Sequence, residues 1–167
     1  MIANIVNEFN KGIELISALD DKAFSEPVKG AGSIGAHFRH NMDFACSFLN
    51  GLETGTINYS DRERDLRVES NRDYAREQIR FLIKRFEGLS EDKYNERVLV
   101  VSEIEERISH ESTISRELEF LHSHTVHHYA VIAEKLKIWN FAVDFSFGVA
   151  PSTLKYWSEE KAESKVA

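Results

Sequence analysis

Ile2, Ile5, Phe9, Ile13, Ile16 and Leu19 recur at intervals of three and four residues, with polar residues between them. That interval puts all six on one face of an amphipathic helix over residues 2–19. Pro27, Gly30 and Gly32 then punctuate a loop. Ser33 is placed to cap a second helix, its hydroxyl accepting from the amides of the next turn. This helix runs to about Asn50, with Gly51 and Gly55 marking its end. Residues 54–70, "TGTINYSDRERDLRVES", keep no period and predict a long crossover. A third helix from about Asn71 to Phe86 turns Ala75, Ile79, Leu82, Ile83 and Phe86 inward.

The β-branched run "RVLVVSEI" breaks the helical text, and "ERISHESTI" is suited to pair back on it as a hairpin. A fourth helix begins near Ser112 or Thr113 and continues to about Trp139. In the tail, Phe141, Phe145, Phe147, Tyr156 and Trp157 argue against disorder and predict docking over the helices. Only residues 158–167, "SEEKAESKVA", read as a frayed end. The pattern predicts an all-α, four-helix bundle forming one domain over residues 1–157. It has a long crossover between its second and third helices and a short β-hairpin before the fourth.

Composition narrows the class. The apolar fraction of 42% and charged fraction of 29% suit a soluble globular chain. A net charge of -7 disfavours nucleic acid as a partner. No apolar run reaches the roughly 20 residues of a membrane span, and "MIANIVNEFNKG" lacks the regions of a signal peptide. The single cysteine, Cys46, has no internal disulfide partner and reads as a small buried apolar residue. The cytoplasm is the expected compartment.

The candidate chemistry lies in "LHSHTVHHYAVI", which holds four of the 7 histidines. Residues i and i+4 of an α-helix differ by about 40° and about 6 Å along the axis, so His124 and His128 can chelate one ion. His128 falls within the inward stripe of Leu118, Leu121, Thr125, Ile132 and Leu136, and His124 at its edge. His122 and His127 fall on the flanks as exposed or rim residues. A catalytic metal usually takes three protein ligands, and the second helix offers His37 or His40. Periodicity favours His37, nearer the stripe of Ile34, Asn41, Ala45 and Phe48. His40 lies further round, beside Phe44, and spacing does not settle which one reaches the metal. The plain alternative is a pair of core histidines bonded to polar neighbours. H-E-x-x-H fails at Thr125, and the di-iron pattern lacks its inward glutamates.

"SIGAHFRH" on the second helix with "SHTVHHYAVI" on the fourth resembles the DinB/YfiT-like superfamily of metal-binding four-helix bundles. "INYSDRERD" and "FGVAPST" resemble a bacterial subgroup of it. The resemblance implies a ligand triad of His40, His124 and His128, leaving His37 as a fallback ligand or outer-shell donor. It implies a divalent ion, most often nickel or zinc, with water completing the shell, and it implies a homodimer. Better-understood members of the family join a low-molecular-weight thiol to an electrophile, often in detoxification or stress response. The cation deprotonates the thiol, and the thiolate attacks. The reactive atom is then a metal-bound water or thiolate, with no side chain assigned as catalytic. The H-x-x-x-H-x-E pattern of iron-dependent sulfoxide synthases ends here on Ala130, against oxygen-dependent iron chemistry.

Arg39, Tyr59, Arg62 and Arg64, with Arg67, are candidates for holding the carboxylates of a small-molecule thiol substrate. The alternative is a solvated loop in which these arginines pair with Asp61, Glu63 and Asp65. Asp43, one turn past His40, is a candidate for orienting an imidazole, or else faces water. The same residues also fit a non-enzymatic metal-binding or stress-response module.

Overall fold

The computed structural model describes residues 1–27 and 32–163. Gly30 of the first loop and residues 164–167 of the expected frayed end lie outside them. The helices are α1 (Ile2–Ala18), α2 (Asp21–Ser25), α3 (Ile34–Thr54), α4 (Leu66–Ser70), α5 (Arg72–Glu87), α6 (Ile114–Leu136) and α7 (Pro151–Glu163). The strands are β1 (Thr56–Ile57), β2 (Arg97–Val101) and β3 (Ser109–Thr113). The four long helices α1, α3, α5 and α6 form the bundle. α1 packs on α5 and α6, and α3 packs on the same two.

Each long helix buries the face its sequence predicts. Ile5, Phe9 and Ile16 of α1 meet Ile34, Phe38 and Phe48 of α3, with Ile79, Leu82 and Phe86 of α5 and Leu121, Ile132 and Leu136 of α6 in one core. The caps follow local chemistry. Ser33 Oγ accepts from the Ala36 amide at 3.0 Å, and Asn71 Oδ1 from the Tyr74 amide at 3.0 Å. Thr113 caps α6 in the same way through the Arg116 amide. A 3-10 turn, Lys137–Trp139, carries that helix to its expected end.

The hairpin is present, with β2 and β3 antiparallel from Arg97↔Thr113 to Val101↔Ser109. Three expectations need correction. The second helix runs past Gly51 to the left-handed Gly55. Gly51 stays inside it because Ile57 approaches so closely that a Cβ would sit 2.6 Å from the Ile57 side chain. The aperiodic crossover is also structured. β1 adds to the hairpin in parallel (Thr56↔Leu99) and α4 closes the segment. Pairing to a strand some 40 residues away leaves no local period. Finally, the tail docks through only part of its aromatic set. Phe147 is buried and stacked on Tyr129, with centroids 4.5 Å apart, while Phe141 is only partly buried. Phe145, Tyr156 and Trp157 remain exposed, and residues 158–163 continue α7.

Candidate metal centre

α3 and α6 are held in register by a buried polar pair. Thr125 Oγ1 shares its one proton between Asn41 Oδ1, at 3.1 Å, and the Leu121 carbonyl, at 2.8 Å. Asn41 and Thr125 are each about 1% exposed. A hydrogen bond in such surroundings favours one sliding position of the two helices, because a shift would leave the buried Asn41 amide oxygen without this partner. The position it favours brings His40 level with His124 and His128. Ring centroids stand 5.2 Å apart for His40–His124, 4.6 Å for His40–His128 and 4.5 Å for His124–His128.

One ring nitrogen from each of the three lies within 4.8 Å of the others. Nitrogens bound at about 2.1 Å to a tetrahedral ion are about 3.4 Å apart, so loading requires the rings to converge by about an ångström. His124 Nε2 is buried without a hydrogen-bond partner, which a core histidine would not tolerate without cost. An ion bound by this nitrogen would satisfy it. Among the described residues no other three His, Cys, Asp or Glu side chains converge in this way.

His37 lies one turn down α3 and meets His128, Nδ1 to Nδ1 at 3.1 Å. One nitrogen must donate and the other accept. If His128 gives Nε2 to a metal, its Nδ1 carries the proton and His37 accepts. His37 is then an orienting partner of the kind metal histidines require, as acceptor rather than donor.

The surroundings keep the imidazoles neutral. Burial pushes His128 down to about 3 and His37 and His124 to about 4. His40 is lowered by burial first and then by Arg62 and Arg39. Neutral rings are the form that ligates. The linkage has a definite sign. Unfolded histidines take protons near 6.5, whereas folded His37, His124 and His128 resist to about 4 or below, so the unfolded chain binds more protons between these values. Stability of the metal-free protein is therefore expected to fall as pH drops from about 6.5 toward 4. Urea midpoints of chelator-treated protein should be clearly lower at pH 5 than at pH 7.5. Equal midpoints would mean that the rings are solvated.

Aromatic rings floor the site. Phe44 stacks on His124 at 4.0 Å, and Tyr59 stacks on Phe44 at 5.1 Å. Phe120 packs against both Tyr59 and His124. Phe44 follows His40 by four residues, so helical spacing alone puts both on one face.

The crossover lies over this end of α3, where Ser47 donates to the Asp61 carbonyl at 3.2 Å. Of its candidate residues one reaches the triad: Arg62 Nη1 lies 3.2 Å from His40 Nδ1. Arg39 is held instead between Glu69, at 2.9 Å, and Asp43, at 3.3 Å. Arg64 is exposed, with φ of 55°, and Arg67 pairs with Asp65 at 2.6 Å. Tyr59 is buried and donates to Glu117 at 2.9 Å. Asp43, also buried, bonds Arg39 and the Arg64 backbone, with no imidazole among its hydrogen-bond partners. His127 is exposed, while His122 is half-buried near Leu118 and Pro151. Cys46 is partly buried, and burial pushes its thiol up to about 11, so it supplies no thiolate near neutrality.

No protein-family model matches the chain. FK506-binding protein 5 of Rhizopus delemar is 32% identical over 104 residues, which are 60% of this chain and 27% of that protein. The chain thus spans little more than a quarter of that relative. The fold superposes on a DinB-like protein, YjoA, from Bacillus subtilis, with a TM-score of 0.64 at 16% identity. The superposition covers 87% of this chain and 96% of that one. The architecture is DinB-like, as the motifs on α3 and α6 lead one to expect. Among the described residues no helix is long and apolar enough to cross a membrane.

Proposed function

We propose that this DinB-like chain is a divalent-metal-dependent thiol S-transferase, joining a low-molecular-weight thiol to an electrophile. On this reading it works in the cytoplasm as a homodimer, with nickel or zinc as its ion. The observation that carries the reading is the convergence of one ring nitrogen each from His40, His124 and His128. When bound, the ion supplies Lewis acidity that lowers the pKa of a thiol toward neutrality.

The chain's own residues do the rest. The three imidazoles, kept neutral by burial, hold the ion, and His37 fixes the His128 ring. Phe44 and Phe120 shield one side from water. With Cys46 kept protonated, the thiol must come from solution. Its S–H proton is released, a bond forms from sulfur to the electrophilic carbon, and either a leaving group departs or a proton returns to the adduct. Among the candidate substrate residues, Arg62 is the one placed to meet a carboxylate on the thiol.

Elemental analysis of untagged protein prepared without chelator tests the metal, with near-stoichiometric nickel or zinc expected. Consumption of cysteine by 1-chloro-2,4-dinitrobenzene should then track metal content across partly loaded samples. Stoichiometric metal without turnover over a panel of small thiols would instead establish the second reading, a non-enzymatic metal-binding or stress-response module. The feature that favours it is that the candidate substrate arginines Arg39 and Arg67 are already paired, with Glu69 and Asp43 and with Asp65, which leaves few cations for a substrate carboxylate. No metal, and none taken up on reconstitution, would end both.

A further inference from the structure

Arg62 stands where it cannot remain once His40 binds a metal. Its guanidinium only donates, so the nitrogen it meets, His40 Nδ1 at 3.2 Å, must be the accepting one. The proton of the neutral ring then sits on Nε2. If the ion takes Nδ1, the guanidinium occupies its place. If the ion takes Nε2, the proton moves to Nδ1 and faces the guanidinium, donor against donor. A dication a few ångströms away repels it in either case. Whichever nitrogen ligates, the Arg62–His40 contact and a loaded triad exclude each other.

The displaced group has somewhere to stay. Arg62 Cζ lies 5.4 Å from the centre of the Phe44 ring, and that ring stacks on His124, so a guanidinium that leaves His40 can remain beside the triad on the aromatic face. Arg62 Nε is buried with no hydrogen-bond partner, and no carboxylate of the crossover forms a salt bridge with this side chain, whereas Arg67 is paired with Asp65. A buried cationic donor without an acceptor, beside residues that would hold a dication, suits an anion.

We infer that Arg62 is a cap displaced by metal, and that the released guanidinium and the ion together bind a carboxylate. This rests on the metal reading above and adds the order of events: metal loads, the cap leaves, and the anion enters between two positive charges.

Cobalt(II) provides a readout apart from turnover, because its visible absorption reports coordination. The wild-type chain and Arg62→Met are titrated with cobalt(II) in carboxylate-free buffer, and the loaded proteins are then titrated with acetate. Removing the cap is expected to tighten cobalt several-fold, and losing the guanidinium to weaken acetate on the order of tenfold or more. Arg62→Lys, which keeps the charge but not the fork, should fall between for acetate. Unchanged cobalt affinity in Arg62→Met overturns the cap, and unchanged acetate affinity overturns the anion site. If neither protein takes up cobalt, the metal reading fails and this inference with it. Matching circular dichroism of the three proteins separates these outcomes from misfolding.

Discussion

Replacing His128 with alanine is expected to abolish metal loading and leave the fold standing. His128 is the middle ring of the triad, 4.6 Å from His40 and 4.5 Å from His124, and alone of the three it bonds His37. Its loss removes one ligand and the anchor of the orienting partner together. Outer partners alone are worth about 10- to 100-fold in affinity, so the combined loss should exceed about a hundredfold. The fold does not depend on this ring. The α3–α6 register is set by Thr125 and Asn41, and the nearby core by Leu121, Ile132 and Leu136. The metal-free melting temperature of the variant should therefore lie close to that of the metal-free parent. Elemental analysis beside a circular-dichroism melt checks both halves. A His128→Ala protein that keeps its metal would show the ligand set to be wrong. One that unfolds without ever having held an ion would make the histidines core residues.

The second large effect concerns the frame that holds the crossover. A Cβ on Gly35 would lie 2.2 Å from the Glu69 carbonyl oxygen and within 3 Å of two further backbone atoms. Backbone cannot swing aside as a long side chain can, so Gly35→Ala must push α4 off α3. Forced overpacking of this kind costs about 1–3 kcal/mol, or roughly 2–12 °C in melting temperature for a domain of this size. Gly88→Ala is the matched control. Its added Cβ meets nothing closer than 3.4 Å, and with φ at -79° the backbone suits alanine. Thermal melts of the two variants should differ clearly. Equal melting temperatures would mean that the α3–α4 contact carries no weight. Because Glu69 also anchors Arg39, the Gly35 variant should loosen the crossover that carries Arg62.

The limits of sequence reading show in particular residues. The inward faces of all four bundle helices were legible, from Ile5 and Phe9 in α1 to Leu121, Ile132 and Leu136 in α6, because burial repeats with the helix period. The caps Ser33 and Thr113 were legible because a cap bonds within its own turn. His37 against His40 was not. Periodicity gives a residue's angle about its own helix axis, and by angle His37 is nearer the apolar stripe. What brings His40 into the triad is its level along α3 relative to α6, set across the bundle by Asn41 and Thr125. Arg62 was one of several arginines in an aperiodic segment, and its sequence neighbours Asp61 and Glu63 suggested a solvated loop. The tail aromatics promised docking in equal measure, yet only Phe147 found a partner ring.

The sequence by itself determined the helical bundle, its caps, its hairpin and the presence of imidazoles suited to a metal. All of these follow from contacts within a few turns or from the period of apolar residues. Spacing favoured His37 and only the resemblance pointed to His40; the tertiary structure brought His40 level with His124 and His128, set His37 Nδ1 against His128, and closed Arg62, of all the crossover arginines, on the site. Each of those depends on how far one element slides along another. That distance is set by packing and hydrogen bonds between residues far apart in the chain, and no local pattern records it.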